Sequence, residues 1–176
     1  MERIASKTVF QGAVVGVRVE RFRHPDGEEV ERELVTHPGS VAIVAHDERV
    51  VHMVRQPREA VDEPDLLELP AGKLDVEGES RLNCAKRELA EEVGLAASEW
   101  TELKTFYASP GFAQEEITLY LATGLSESEA DPDPGERLER VEWPLPDLQG
   151  AIDACRDASS LIGLLLLRRS REDASA

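Results

Sequence analysis

The sequence predicts an α+β fold in which strands are interleaved with two helices and preceded by a small antiparallel sheet. Residues 8–36 alternate apolar and polar side chains around Pro25-Asp26-Gly27, a strong turn signal between two strands. Residues 80–94 and 147–171 instead place apolar side chains at helical spacing. We therefore expect antiparallel strands in residues 1–38 and the main domain in residues 39–176.

The remaining elements follow from short apolar runs and their punctuation. Strands are predicted in the segments 40–55 (two strands hinged at Asp47–Glu48), 66–70, 100–108, 117–122 and 138–143. Ser80 is the predicted N-cap of the first helix, and Gly94 follows its last turn. Residues 124–136 are acidic and contain two prolines, which favours a solvated loop. The second helical segment forms two pieces, with Leu161, Leu164 and Leu165 as its buried side.

Composition excludes several classes of partner. The chain has 176 residues and a net charge of −16, whereas phosphate backbones and anionic membranes select basic surfaces. Cys84 and Cys155 have no metal-ligand or CxxC spacing, and Cys84 is interpreted as a packing residue of the helix. The N-terminal residues show no secretory signal, so we expect a soluble, cytoplasmic protein with no nucleic-acid or membrane partner.

Three carboxylates share one face of the first helix. Glu88, Glu91 and Glu92 stand at i, i+3 and i+4. Like charges so placed repel each other unless a cation neutralises them, and Mg²⁺ prefers oxygen ligands of this kind, often together with substrate phosphates. The helix therefore predicts a metal site for a phosphorylated substrate.

The same stretch resembles the Nudix box, G-x5-E-x7-R-E-U-x-E-E-x-G-U, where U is a bulky aliphatic residue. From Glu79 to Leu95 the match is complete, while six residues rather than five separate Gly72 from Glu79. We interpret the extra residue as a longer loop before the helix, with the helix register intact. The resemblance implies a Nudix-type α/β/α sandwich with a mixed sheet.

The resemblance also implies roles for individual residues. Glu88, Glu91 and Glu92 would bind Mg²⁺, with Mn²⁺ as the alternative, and the backbone carbonyl of Ala71 would complete the coordination. Arg87 would orient Glu91 through a charge-assisted hydrogen bond. Glu79 is interpreted as a partner that fixes the loop to the helix.

A second match lies in residues 109–122, SPGFAQEEITLYLA, which resemble the ADP-ribose pyrophosphatase subgroup. Glu115 aligns with the loop glutamate that the family uses as metal ligand or catalytic base, and Glu116 is the alternative because the two glutamates are adjacent. Ser109, Gly111 and Phe112 would line the substrate.

A third match lies in residues 54–58, VRQPR, where the subgroup has V-R-Q-Y-R, so that Pro57 replaces a tyrosine. Arg58 would grip a phosphate, because a guanidinium forks onto oxygens, and Arg55 is a further candidate. Arg32 and Glu33 resemble the Arg-Glu pair that the subgroup uses at the terminal ribose or adenine.

Together these matches predict a Mg²⁺-dependent hydrolase that splits ADP-ribose into AMP and ribose 5-phosphate with water as nucleophile. The subgroup is commonly a homodimer with exchanged N-terminal strands. The alternatives are hydrolysis of another nucleoside diphosphate sugar or a dinucleotide, and a non-enzymatic ligand sensor. Retention of all three helix glutamates argues against a sensor.

Overall fold

The computed structural model describes residues 1–128 and 137–174, and the chain divides into two compact units. The first unit comprises residues 1–39 and 106–117, and the second comprises residues 40–105 and 118–176. Residues 106–117 thus group with the N-terminal strands, although they lie within the predicted main domain.

The first unit contains a three-stranded antiparallel sheet. Its strands are β1 (Glu2–Gln11), β2 (Gly16–Arg23) and β3 (Glu29–Thr36), in the order β1-β2-β3. The turn between β2 and β3 falls at the predicted position, where Gly27 has φ +87° and the Glu28 amide donates to Asp26 Oδ1 at 3.0 Å. The predicted N-terminal antiparallel sheet is confirmed.

The second unit is built on a mixed seven-stranded sheet. Its central path runs β10-β5-β4-β9-β8, with β6 paired to β5 and β7 paired to β4. The strands are β4 (Ser40–His46), β5 (Val50–Arg58), β6 (Glu63–Glu68), β7 (Ala71–Lys73), β8 (Leu95–Tyr107), β9 (Glu116–Glu127) and β10 (Glu139–Pro144). A short 3₁₀ turn, Glu59–Val61, follows β5.

The described part of this unit also contains three helices. Helix α1 (Arg81–Glu88) continues into a single π-helical turn, Leu89–Val93; α2 (Leu148–Ala154) follows a 3₁₀ turn, Leu145–Asp147; and α3 is Ala158–Ala174. Among the described residues, no helix is long and apolar enough to cross a membrane. The Ser80 hydroxyl accepts from the Asn83 amide at 3.2 Å, and Gly94 adopts a left-handed φ of +74°, so both predicted ends of the box helix are confirmed.

Strand β4 carries the core because both of its faces are covered. Val41, Ile43 and Ala45 pack with buried residues of α1, whereas Val44 lies against Gly163 of α3. A strand covered on both faces needs a continuous apolar run rather than alternation, and residues 41–45 read VAIVA. The helices therefore lie on opposite faces of the sheet, which is the expected α+β sandwich.

Several predicted boundaries were wrong. The predicted strand 66–70 is β6, which ends at Glu68, and the separate strand β7 was not predicted. β8 begins at Leu95 rather than residue 100, and β9 continues to Glu127, so that residues 124–127 of the predicted loop are strand. The polar side chains of residues 124–127 indicate an exposed surface, but they do not show whether the backbone pairs with a neighbouring strand. Residues 129–136 of that loop lie outside the described residues.

The buried side of α3 also differs from the prediction. Leu164 is buried, but Leu165 is 42% exposed and Leu161 is only partly buried. The buried positions are instead Ser160, Gly163, Leu164 and Leu167. Ser160 belongs to this set because its hydroxyl accepts a 2.7 Å hydrogen bond from the Leu69 amide, which a search for apolar residues would not find.

Candidate active site

The box glutamates lie where α1 passes into the π-helical turn. Glu88 and Glu92 are 8% and 3% exposed, respectively, and the side chain of Glu91 is 30% exposed. Single π-helical turns occur frequently at functional sites. Ala85, Leu89 and Val93, the apolar neighbours of these glutamates, are buried in the core. The helix therefore packs through one face and carries its carboxylates on another.

Arg87 organises the carboxylates around it. Its Nε and Nη2 donate to the two oxygens of Glu79 at 3.2 and 3.1 Å, and its Nη1 donates to Glu88 at 2.8 Å and Glu91 at 2.9 Å. The hydrogen bonds and negative charges of these carboxylates, with Glu79 foremost, raise the pKa of Arg87 above its ordinary value. The predicted Arg87–Glu91 hydrogen bond is present, and Glu79 ties the preceding loop to the helix as expected.

Cys84 lies beneath this cluster. It is buried, and its Sγ lies 3.4 Å from the Lys73 carbonyl oxygen. Burial raises the pKa of the thiol to about 12, and Cys155 is affected in the same way. Because the thiolate is the reactive form, Cys84 is a packing residue rather than a nucleophile.

Strand β7 closes the site against the helix. The Ala71 amide donates to Glu92 Oε2 at 2.9 Å. At Gly72, an added Cβ would overlap the carboxyl group of Glu88, so only glycine lets this strand lie beside that side chain. The strand thus fixes the positions of the two buried carboxylates.

The donor set fits a hard divalent cation. Glu79, Glu88 and Glu91 surround the Arg87 guanidinium, Glu92 accepts from the Ala71 amide, and all four side chains offer oxygen ligands. Within residues 1–128 and 137–174, no three acidic, histidine or cysteine side chains are arranged as a preformed metal cage. Three of the four carboxylates are hydrogen-bonded to Arg87.

Arg58 and Arg55 lie at the end of β5. The Arg58 guanidinium forks onto Glu68, with Nε 2.9 Å from Oε2 and 3.1 Å from Oε1 and Nη2 2.8 Å from Oε2. Burial lowers the pKa of Arg58, but the hydrogen bond and charge of Glu68 outweigh that effect and leave the pKa raised. Arg55 pairs at 3.2 Å with Asp65, and the two line a cleft beside Pro57.

The other predicted substrate residues belong to the first unit. Arg32 and Glu33 lie exposed on β3, and Arg32 Nη1 donates to the Glu31 carbonyl at 2.8 Å. The loop containing Gly111 is closed by amides of Phe112 and Ala113 that donate to the Ser109 carbonyl at 3.1 and 2.8 Å.

This loop is also fastened to β3. The Val35 amide donates to the Phe112 carbonyl at 2.8 Å, and the Phe112 side chain is 55% exposed. One oxygen of Glu115 lies 3.7 Å from His37 Nδ1, while Glu116 is the first residue of β9.

The contacts that were not predicted include Glu68 with Arg58, His37 with Glu115, and Arg140, whose Nε donates to the Glu92 carbonyl at 3.1 Å. Glu68 did carry a signal, since it is the one charged residue in the apolar run 66–69. Nothing in the sequence indicated the contact of Arg140, because its partner is a backbone carbonyl 48 residues away.

Comparison with known proteins gives the family. The NUDIX domain family matches residues 36–162. The ADP-ribose pyrophosphatase of Bacillus subtilis is 42% identical over 147 residues, which cover 82% of this chain and 78% of the relative. The ADP-ribose pyrophosphatase of Mycobacterium tuberculosis is 48% identical over 127 residues, or 72% of this chain and 61% of the relative.

A solved structure, the crystal structure of an ADP compounds hydrolase, superposes with a TM-score of 0.86 over 98% of this chain and 95% of the other. At 24% identity this likeness establishes the fold. The predicted Nudix-type fold is therefore confirmed.

Proposed function

Because this chain belongs to the Nudix family, we propose that it hydrolyses the diphosphate bond of ADP-ribose to AMP and ribose 5-phosphate. The observation that carries the proposal is the pair of buried carboxylates, Glu88 and Glu92, one helical turn apart, with Glu92 fixed by the Ala71 amide. The names of the Bacillus and Mycobacterium relatives support ADP-ribose as the substrate.

Hydrolysis requires relief of the negative charge that a diphosphate presents to water. A bound divalent ion supplies charge neutralisation and lowers the pKa of a water molecule. Nudix ADP-ribose pyrophosphatases generally use divalent metals, and we assign Mg²⁺ here, because every donor is an oxygen. Glu88, Glu91, Glu92 and the Ala71 carbonyl would hold it, while Arg87 orients the carboxylates.

The remaining assignments extend the family pattern. Glu115 is proposed as the loop glutamate that serves as ligand or base. Arg58 is proposed to contact a phosphate, and Glu68 already holds its guanidinium in a defined orientation. The residues proposed to contact the rest of the substrate are Arg32, Glu33, Arg55, Ser109, Gly111 and Phe112.

The decisive test is Glu92→Gln. The amide oxygen can still accept the Ala71 N–H, so we expect the fold to survive, while loss of the negative charge lowers kcat by about 10²-fold or more. Activity on ADP-ribose with Mg²⁺ and circular dichroism are measured together. Glu172→Gln, which changes an exposed glutamate on α3 in the same way, is the matched control. Near-normal Mg²⁺-dependent turnover by Glu92→Gln would contradict the proposal.

Substrate choice needs a separate measurement. ADP-ribose, other nucleoside diphosphate sugars and dinucleotides are compared with Mg²⁺ and Mn²⁺ in parallel, and ³¹P NMR identifies the products. If a GDP-sugar is preferred, diphosphate hydrolysis stands as the reaction but ADP-ribose is not the substrate. If no member of the panel is hydrolysed, a non-enzymatic ligand sensor is favoured.

The proposed cellular form is a cytoplasmic homodimer with exchanged N-terminal strands and no nucleic-acid partner. Light scattering on the purified chain measures the oligomeric state. A fully active monomer would contradict the exchange.

A further inference from the structure

We propose that Arg140 is a positioning residue for Glu92. The proposal rests on the function proposed above, since Glu92 matters there as a metal ligand. Arg140 stands on β10, opposite Val54 of β5, and its Nε donates to the backbone carbonyl of Glu92 at 3.1 Å. It therefore acts on the backbone of the box helix and not on its carboxylates.

The carbonyl that Arg140 binds lies in the last turn of the box helix. The last four carbonyls of a helix have no partner within it, and Glu92 is the penultimate residue of the π-helical turn. A guanidinium at this end also interacts favourably with the negative end of the helix dipole. Arg140 supplies both a hydrogen-bond donor to this carbonyl and a positive charge at this end of the helix.

Gly94 makes room for this contact. A Cβ added at Gly94 would lie 2.6 Å from Arg140 Nη1, so the guanidinium rests directly against the glycine. On the same residue, the Gly94 carbonyl accepts from the Ser128 amide at 2.9 Å. The end of the box helix is thus held by two separate segments of the chain, β10 and the residue that follows β9.

Glu92 is consequently fixed at both ends. Its carboxylate accepts a hydrogen bond from the Ala71 amide at 2.9 Å, and its backbone carbonyl accepts one from Arg140. Without Arg140, the last turn loses a tether within the same residue that carries the carboxylate. The hydrogen bond at Ala71 should then open more often, and the carboxylate should spend less time in its working position.

The test compares Arg140→Met and Arg140→Lys with the wild type. Arg169→Met, at an exposed arginine of α3, is the matched control. Amide exchange at Ala71, followed by NMR without metal or substrate, reports directly on the Glu92–Ala71 hydrogen bond. For Arg140→Met we expect about tenfold faster Ala71 exchange and about tenfold lower kcat, with KM for ADP-ribose within about twofold of the wild type.

Arg140→Lys should recover part of both losses, and the control should show neither. If Arg140→Met merely lowers the melting temperature, with Ala71 exchange and kcat at 25 °C unchanged, the proposal is overturned. If Arg140→Met does not fold, Arg140→Lys is judged by the same two readouts. Absence of ADP-ribose hydrolysis by the wild type would end the proposed function, while Ala71 exchange would still decide the role of Arg140.

Discussion

The close approach of Gly72 to Glu88 gives a prediction about both stability and turnover. In Gly72→Ala the new Cβ overlaps Cγ, Cδ and Oε1 of Glu88, which is buried and hydrogen-bonded to Arg87. The carboxyl group must retreat by about 1 Å or more, and misplacement on that scale costs about 10²-fold in rate. Overpacking of this kind also costs about 1–3 kcal/mol.

The stability cost is measured by urea unfolding and by thermal melting. At about 2 kcal/mol, the melting temperature should fall by about 4–8 °C for a chain of this size. The double variant Gly72→Ala/Glu88→Ala separates the cause, because it removes the atoms that the new methyl group meets. Gly72→Ala should be nearly neutral when introduced into Glu88→Ala.

Gly111→Ala is the matched glycine control for stability, since a Cβ added at Gly111 would meet nothing within 4 Å. An equal cost of Gly72→Ala in the Glu88→Ala background and in the wild type would contradict a clash with Glu88. Wild-type stability together with wild-type kcat in Gly72→Ala would contradict it as well.

Two further predictions concern the core. Burial lowers the pKa of His52 and outweighs the charges of Glu142 and Asp47, which raise it, while His46 lowers it further. The folded state therefore binds fewer protons than the unfolded state, and stability should fall as the pH drops below about 6.5. In His52→Gln the melting temperature should change less between pH 7 and pH 5, and a pH profile like that of the wild type would contradict this assignment. On α3, Leu164→Ala should cost about 2–5 kcal/mol in urea unfolding and the exposed Leu165→Ala less than about 1 kcal/mol, and equal costs would contradict the observed face.

Local rules were sufficient for much of the fold. The Pro25-Asp26-Gly27 turn, the Ser80 cap and the left-handed Gly94 each depend on the chemistry of a few neighbouring residues, which the sequence displays directly. The Arg87–Glu91 bond follows from i, i+4 spacing on a helix. Such features require no knowledge of which segments meet.

Most of the unpredicted features depend on distant segments, and one depends on a backbone detail that periodicity does not record. The π-helical turn leaves the side-chain pattern of the box intact, so periodicity could not distinguish it from a continuous α-helix. Leu165 is apolar but exposed, because close packing at Gly163 and the Ser160–Leu69 hydrogen bond determine which face of α3 is inside. Glu68 on β6 meets Arg58 on β5, and Arg140 on β10 meets the end of the box helix, and no local spacing records those pairings.

The extra residue between Gly72 and Glu79 shows how the box tolerates a change in loop length. The loop after β7 closes in a turn in which the Glu79 amide donates to the Val76 carbonyl at 3.2 Å, and Gly78 adopts φ +79°. Beyond the turn, Glu79 forks onto Arg87, and the helix then starts at its Ser80 cap. Since the register is fixed by these two contacts, the additional residue is absorbed before Glu79 and does not alter the helix that presents the carboxylates.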